Sequence, residues 1–285
     1  MAKVARYLSL VKFSHTVFAL PFALIGFFLG LESTHSGFEP ILFVKVMGCM
    51  VTARTAAMAF NRYADRSYDS LNERTRGREL PSGAINPSSA FFLVALSSFV
   101  FIAITFTINS ICFWLSPVAL VVILGYSLTK RFTSLCHLIL GLGLSLAPIG
   151  AYLAVTGRFD FTPLLFSGAV LSWVGGFDII YSLQDDTFDR SQRLHSIPAS
   201  LGRKNALMVS SLLHLVCAGL LLIAGLTNEF HVTYWIGYSF FCSLLIYQHR
   251  LVRPDDLSRV NVAFFTTNGI ASLVFAAFVI ADILS

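Results

Sequence analysis

The chain has 285 residues, 56% of them hydrophobic and only 12% charged, against about 25% charged in an ordinary soluble domain. Together with a mean hydropathy of +0.75, this excludes the soluble globular class. The net charge of +5 does not mark a nucleic-acid binder, because the basic residues are sorted by position along the chain rather than gathered into one patch.

Nine apolar runs are long enough, or nearly so, to cross ~30 Å of hydrocarbon as helices. The first, 13–31, is too long for a signal-peptide core and has no small-residue cleavage site after it, so a retained helix is expected. The second, 41–60, carries Lys45 and Arg54 and runs straight into an acidic segment, Asn61-Arg62-Tyr63-Ala64-Asp65-Arg66-Ser67-Tyr68-Asp69. The third and fourth, 88–109 and 111–128, meet at Asn109 and Ser110, so their boundary is soft. Tyr126 closes the fourth, and a six-residue loop with Lys130 and Arg131 follows. The fifth, 135–155, and sixth, 162–183, lead to a second acidic segment, Tyr181-Ser182-Leu183-Gln184-Asp185-Asp186-Thr187-Phe188-Asp189. The runs 206–225, 231–247 and 260–283 complete the chain. The expectation is an all-α integral membrane protein of about nine transmembrane helices, bundled around a central cavity and forming a single domain over 1–285.

Numbering the intervening segments alternately puts 17 of the 20 Lys and Arg on one side of the membrane. By the positive-inside rule that side is cytoplasmic, with the N-terminus in the cytoplasm and the C-terminus outside. A multi-pass protein of the inner (cytoplasmic) membrane is expected, its acidic segments near the cytoplasmic face. Cys49, Cys112, Cys136, Cys217 and Cys242 lie scattered in apolar runs without C-x-x-C spacing and read as small buried hydrophobes.

Carboxylates are expensive in a bilayer, roughly 2.5–3.5 kcal/mol each at its centre on insertion scales, and so mark function. If the second helix continues past the membrane, Asn61, Asp65 and Asp69 fall at i, i+4 and i+8 on one face, with Arg54 on nearly the same stripe. An amide and two carboxylates make a partial oxygen shell for Mg²⁺, which takes one or two protein carboxylates and completes its octahedron with water and phosphates. Asp178, Ser182, Asp185 and Asp189 are expected to make a second helical stripe, leaving Asp186 to face solvent or to add to the metal shell. The two halves rhyme, as after an ancient duplication, and the rhyme predicts that both motifs converge on one cavity.

Cations accompany the acids. Arg74-Thr75-Arg76-Gly77-Arg78-Glu79-Leu80-Pro81-Ser82-Gly83 is a basic stretch ended by turn residues. Arg74, Arg78, Lys130 and Arg131 serve either phosphate binding or the topogenic bias; Arg66, Arg76, Arg250, Arg253 and Arg259 are assigned to the bias alone. His15 and His137 are expected to make interfacial hydrogen bonds, and His195 is a candidate substrate contact. Phosphate-loop, H-E-x-x-H and G-x-S-x-G motifs do not occur in the sequence.

Asn61-x3-Asp65-Arg66-x2-Asp69, Arg74-Thr75-x2-Arg78-x-Leu80-Pro81-x-Gly83, Tyr126-x3-Lys130-Arg131-Phe132-Thr133 and Asp178-x2-Tyr181-x3-Asp185-x3-Asp189, in this order, resemble the UbiA superfamily of intramembrane aromatic prenyltransferases. The resemblance spans essentially the whole chain. It implies a helical bundle with a cavity open laterally to lipid, in which Asn61, Asp65, Asp69, Asp185 and Asp189 hold Mg²⁺ bound to a polyprenyl diphosphate. Asp65, Asp69, Asp185 and Asp189 would carry the catalysis, with Arg54, Arg78 and Lys130 around the diphosphate. Arg74, Tyr126, Arg131, Asp178, Tyr181 and His195 are the remaining candidate substrate contacts. His15-Thr16-x-Phe18-Ala19-Leu20-Pro21-Phe22-Ala23 and His195-Ser196-Ile197-Pro198-Ala199 look like the 4-hydroxybenzoate polyprenyltransferase type, closest to its branch associated with menaquinone made through futalosine. Gly77-Arg78-Glu79 and Arg193-Leu194-His195 depart from the usual pattern, which has Arg-Pro and a Lys there. Other acceptors stay open, namely a futalosine-derived naphthoate, haem, a homogentisate-like ring or a glycerol phosphate. An ion-coupled transporter is the reading from a different class. Acids at helix ends beside a basic loop disfavour it, since transporters place such groups near the midplane.

Overall fold

The computed structural model describes Tyr7, Ser9, Leu10 and residues 18–285. All regular structure among these residues is helical, as expected of apolar runs that must satisfy their own backbone hydrogen bonds in hydrocarbon. Helix α1 spans Leu20–Thr34, opens with Pro21 in its first turn and ends at His35 in the left-handed region (φ 49°); the expected start of the first run, at 13, lies outside the described residues. Helix α2, Pro40–Leu71, has 32 residues. At 1.5 Å per residue that is about 48 Å, longer than the hydrocarbon is thick. The first acidic segment therefore rides on the same rigid rod as the second apolar run. Helices α3 (Pro87–Phe106) and α4 (Ser110–Thr129) are separate, which resolves the soft boundary.

Helix α5, Cys136–Thr156, ends at Gly157 with φ 65°, a left-handed cap that glycine adopts without a Cβ penalty. Helix α6, Phe161–Ser182, is capped by Asp160, whose carboxylate accepts from the Phe161 N–H at 2.7 Å. A 3₁₀ turn, Leu183–Asp185, and a short helix α7, Asp186–Ser191, continue it. Helix α8 runs Ile197–Thr227, earlier than the 206 expected from hydropathy. Ser196 caps it by accepting from the Ala199 N–H at 3.3 Å, and Pro198 sits in its first turn. The φ of 79° at Gly202 breaks this first turn from the apolar rod that follows. Helix α9 is Val232–Leu251, a π-helical segment occupies Val262–Thr267, and α10 is Asn268–Ile283.

Among the described residues, seven helices are long and apolar enough to cross a membrane. They are α2 to α5, α6 with its short continuation, α8, and α10 with the π segment. The described part of α1 is shorter, and α9 ends in Gln248, His249 and Arg250. The chain is an all-α, integral, multi-pass membrane protein.

Two compact units divide the chain. The first holds Pro40–Leu128 with the described residues before 16. In it α2 and α3 pack together, and Leu10, Ala59, Leu80, Ile85, Ala90 and Val94 make a core that pins the segment after the first acidic motif. The second unit holds Thr129–Ser285 with the described residues 18–39. Its core is aromatic: Trp173 meets Phe177 edge-on at 5.0 Å and packs near Phe22 and Phe241 at 5.3 and 5.8 Å. The Trp173 indole donates to Asn268 Oδ1 at 3.0 Å, so the polar tip of a fully buried ring is satisfied. Helices α5 and α6 approach so closely at Gly141 that a Cβ there would run into the Leu171 carbonyl, the small-residue contact membrane helices favour.

Candidate functional site

The first motif lies where a continuous helix should put it. On α2, Asn61 Nδ2 donates to Asp65 Oδ2 at 3.0 Å, an i,i+4 contact that orients the carboxylate. Asp69, two turns below Asn61, is buried. Both its oxygens accept from Arg78 Nη1, at 2.7 and 2.9 Å. The chain folds back to make this pair. Thr75 Oγ1 donates to the Asp69 carbonyl at 3.1 Å, the Arg78 N–H donates to the Thr75 carbonyl at 2.9 Å, and Leu80 and Ile85 anchor the turn in the core. Tyr126 lies within electrostatic range of Asp65, Arg62 and Arg54. Arg54, Arg78 and Tyr126 thus gather at the first motif. Arg74 is exposed, and its backbone N–H donates to Asn72 Oδ1 at 2.9 Å. Arg62 was missed by the sequence reading, which counted it with the topogenic charges, yet it is only 5% exposed.

The second motif is not carried by one unbroken α-helix. The 3₁₀ turn Leu183–Asp185 winds about 120° per residue instead of 100°, which turns Asp189 to about 80° from Asp178 while Asp185 stays within about 40° of it, on the side of Ser182. Asp178 meets His137 of α5, with Nδ1 to Oδ2 at 2.6 Å. His137 Nε2 accepts from the Ile197 N–H at 3.3 Å. A nitrogen accepting from an N–H carries no proton, so the proton sits on Nδ1 and points at Asp178. His137 is therefore a buried tie between α5, α6 and α8 rather than an interfacial side chain; His15 lies outside the described residues.

Asp189 is fully buried. Lys130 Nζ lies 2.7 Å from its Oδ1, and Ser196 Oγ donates to its Oδ2 at 2.8 Å. Burial opposes the Lys130 ammonium, but the Asp189 carboxylate outweighs it and holds Lys130 above its ordinary range of 10.5. The His195 N–H donates to the Lys130 carbonyl at 2.7 Å, which ties the loop after α4 to the cap of α8, while the His195 side chain is exposed. Asp185 is buried at the end of the 3₁₀ turn. Asp186 faces neither solvent nor an open shell: Arg203 Nε and Nη2 donate to its two oxygens at 2.9 Å each. The sequence signal for this pair was present only as two charges 17 residues apart, and the break at Gly202 sets Arg203 at the start of the long rod. Tyr181 stacks on Phe264 with ring centres 4.1 Å apart, and Arg131 is exposed beside Lys130.

Among the described residues no three His, Cys, Asp or Glu side chains form a closed metal cage. Within each unit the donors are all hard oxygens, with cations already seated on the innermost carboxylates. That donor set suits a hard divalent ion that brings most of its own ligands as water and phosphate. It does not suit zinc or another soft metal.

A family model described as the UbiA prenyltransferase family matches residues 19–270. The 4-hydroxybenzoate octaprenyltransferase of Nitrosospira multiformis is 32% identical over 240 residues, covering 84% of this chain and 82% of that protein. That of Aeromonas hydrophila is 30% identical over 239 residues, covering 84% and 83%. Among solved structures, an apo UbiA homologue from Aeropyrum pernix K1 superposes with a TM-score of 0.85 at 33% identity, over 94% of this chain and 98% of that one. A UbiA homologue from Archaeoglobus fulgidus bound to GPP and Mg²⁺ shares the fold, with a TM-score of 0.77 at 19% identity over 98% and 100%.

Proposed function

Because this chain belongs to the UbiA prenyltransferase family, we propose that it transfers a polyprenyl group from a polyprenyl diphosphate to a ring carbon of an aromatic acid of the 4-hydroxybenzoate type. The reaction depends on Mg²⁺ and serves quinone biosynthesis, ubiquinone or menaquinone. The enzyme works in the inner membrane with its N-terminus and both acidic segments at the cytoplasmic side. The observation that carries this reading is that each acidic segment holds a cation on its innermost carboxylate, Arg78 on Asp69 and Lys130 on Asp189. The relatives named 4-hydroxybenzoate octaprenyltransferase support the acceptor class and a long prenyl chain.

Asn61, Asp65 and Asp69 of one unit, and Asp185 and Asp189 of the other, are the residues that would hold the metal. When bound, Mg²⁺ supplies Lewis-acid neutralisation of the leaving diphosphate. The protein's own part is electrostatic. Asn61 keeps the Asp65 carboxylate oriented, and Ser196 keeps that of Asp189 in place. Arg78 and Lys130 stand on Asp69 and Asp189 until phosphate oxygens arrive. They then turn to those oxygens and favour cleavage of the allylic C–O bond, as preorganised donors do for charge that develops in a transition state. Arg54, Arg74 and Arg131 add positive charge; Tyr126, Tyr181, Asp178 and His195 complete the substrate contacts.

The experiment is an acceptor panel on purified protein in nanodiscs, with geranyl diphosphate and Mg²⁺. The panel holds 4-hydroxybenzoate, a futalosine-derived naphthoate and a homogentisate-like ring, and products are read by mass spectrometry. A C-prenylated 4-hydroxybenzoate is the expected product. The naphthoate is the second reading, favoured by the resemblance of His195-Ser196-Ile197-Pro198-Ala199 to the menaquinone-associated branch; its prenylation in place of 4-hydroxybenzoate would change the pathway and keep the enzyme. No prenylated product from any acceptor would refute the reading.

A further inference from the structure

Arg62 is a buried cation that neither the fold nor the first acidic motif uses. It is 5% exposed, and its Nε finds no hydrogen-bond partner among the described residues. Buried polar side-chain atoms are bonded in the large majority of cases, and an exception asks for a reason. The nearest acids are already committed. Asp69 lies within electrostatic range of Arg62, but both its oxygens are taken by Arg78. Glu79, the other acid in range, accepts from the Ser9 hydroxyl. Arg78 itself repels the Arg62 guanidinium. Arg62 and Arg78 therefore share the field of Asp69 and Glu79, but Arg78 takes both Asp69 oxygens and the buried Arg62 Nε is left without a hydrogen-bond acceptor among the described residues.

The position of that unbonded donor is informative. At about 100° per residue, Arg62 lies about 20° from Asp69 and about 60° from Asp65 around α2, on the face that carries the motif. A guanidinium has five donors, no acceptor and a permanent charge, so what completes it is an anion rather than a metal. A structural arginine at this depth would be expected to have its own carboxylate, because breaking or omitting a partner leaves an uncompensated buried charge.

We propose that Arg62 is a further substrate-binding residue, whose guanidinium takes an oxyanion of a substrate beside the first acidic motif. The proposal rests on the prenyltransferase reading above. That reaction brings two oxyanions, the diphosphate and the carboxylate of an aromatic acid, and both have the fork geometry that arginine matches.

The test compares wild type, Arg62→Met and Arg62→Lys in nanodiscs, with geranyl diphosphate and 4-hydroxybenzoate each varied at saturating levels of the other. Thermal stability is measured on the same samples without substrate. Because the Arg62 Nε is buried without a hydrogen-bond partner among the described residues, Arg62→Met is expected to melt at or above the wild-type temperature. One KM is expected to rise roughly tenfold or more in Arg62→Met, the loss of a charge-assisted hydrogen bond. Arg62→Lys, which keeps the charge but not the fork, is expected to fall between. A rise confined to the acid identifies the carboxylate as the anion; a rise confined to geranyl diphosphate identifies the phosphate. A lower melting temperature in Arg62→Met, or active variants with both KM values unmoved, would overturn the proposal and leave the prenyltransferase reading intact. A wild type without turnover would overturn that reading and this proposal with it.

Discussion

The pair of Asp186 and Arg203 gives a sharp test of how the second acidic segment is built. The Asp186 side chain is 6% exposed and that of Arg203 is 35% exposed, and two 2.9 Å bonds join them as a fork. Their unequal exposure predicts unequal costs. Arg203→Met leaves the Asp186 carboxylate buried without its cation, which should cost about 3–5 kcal/mol. Asp186→Ala leaves Arg203, which reaches water and already donates to the Pro254 carbonyl at 3.3 Å. After discounting for solvent, that loss should be about 1–2 kcal/mol. The double variant Asp186→Leu with Arg203→Met removes both charges and should recover most of the deficit. Unfolding by SDS in mixed micelles, followed by tryptophan fluorescence, reads these differences, because Trp173 is fully buried in the same unit. The Mg²⁺ concentration for half-maximal turnover should be unchanged in Asp186→Ala. An Asp186→Ala variant as unstable as Arg203→Met, or one with a raised Mg²⁺ requirement, would refute the assignment of Asp186 to a structural pair.

Four further outcomes are expected. Asp65→Ala and Asp185→Ala should each abolish turnover while the protein still inserts and runs as a monodisperse peak; near-wild-type activity in either contradicts the metal assignment. Lys130→Ala should raise the KM for the prenyl diphosphate more than that for the aromatic acid, and the opposite order would move Lys130 to the acceptor. The folded pKa of Lys130 is raised, so its contribution to stability is complete below its ordinary 10.5 and is lost only as pH climbs through the higher folded value. An unfolding profile that changes with Lys130 ionisation near neutrality would contradict this. Gly141→Val should destabilise by about 1–3 kcal/mol, because its Cβ meets the Leu171 carbonyl; a thermal midpoint equal to wild type would show that α5 and α6 separate freely.

How much of this was legible in the sequence depended on whether one helix carried the signal. Asn61, Asp65 and Asp69 could be placed on a common face because α2 runs unbroken from Pro40 to Leu71, so spacing translates directly into geometry. The same arithmetic holds less well at the second motif. A 3₁₀ turn at Leu183–Asp185 shifts the phase of Asp189, and no glycine or proline there announces it. The early start of α8 was readable, since Ser196 and Pro198 are a cap and a first-turn residue, but hydropathy outvoted them until 206. The partners of Asp186, Asp189 and His137 come from other segments, Arg203, Lys130 and Asp178. Such long-range pairings leave no local trace. Arg62 was hidden for a different reason, because a basic residue flanking an apolar run is also what the positive-inside bias alone would produce.

Mg²⁺-dependent prenyl transfer is the central claim, and one measurement bears on it most directly. Purified wild-type protein in nanodiscs is incubated with geranyl diphosphate and 4-hydroxybenzoate under three conditions: with Mg²⁺, with EDTA, and with EDTA followed by excess Mg²⁺. The ring-prenylated acid is then quantified by mass spectrometry. The expected result is product with Mg²⁺, none with EDTA, and recovery on adding the ion back. Equal product in EDTA, or none in any condition from protein shown to be folded, would contradict the account.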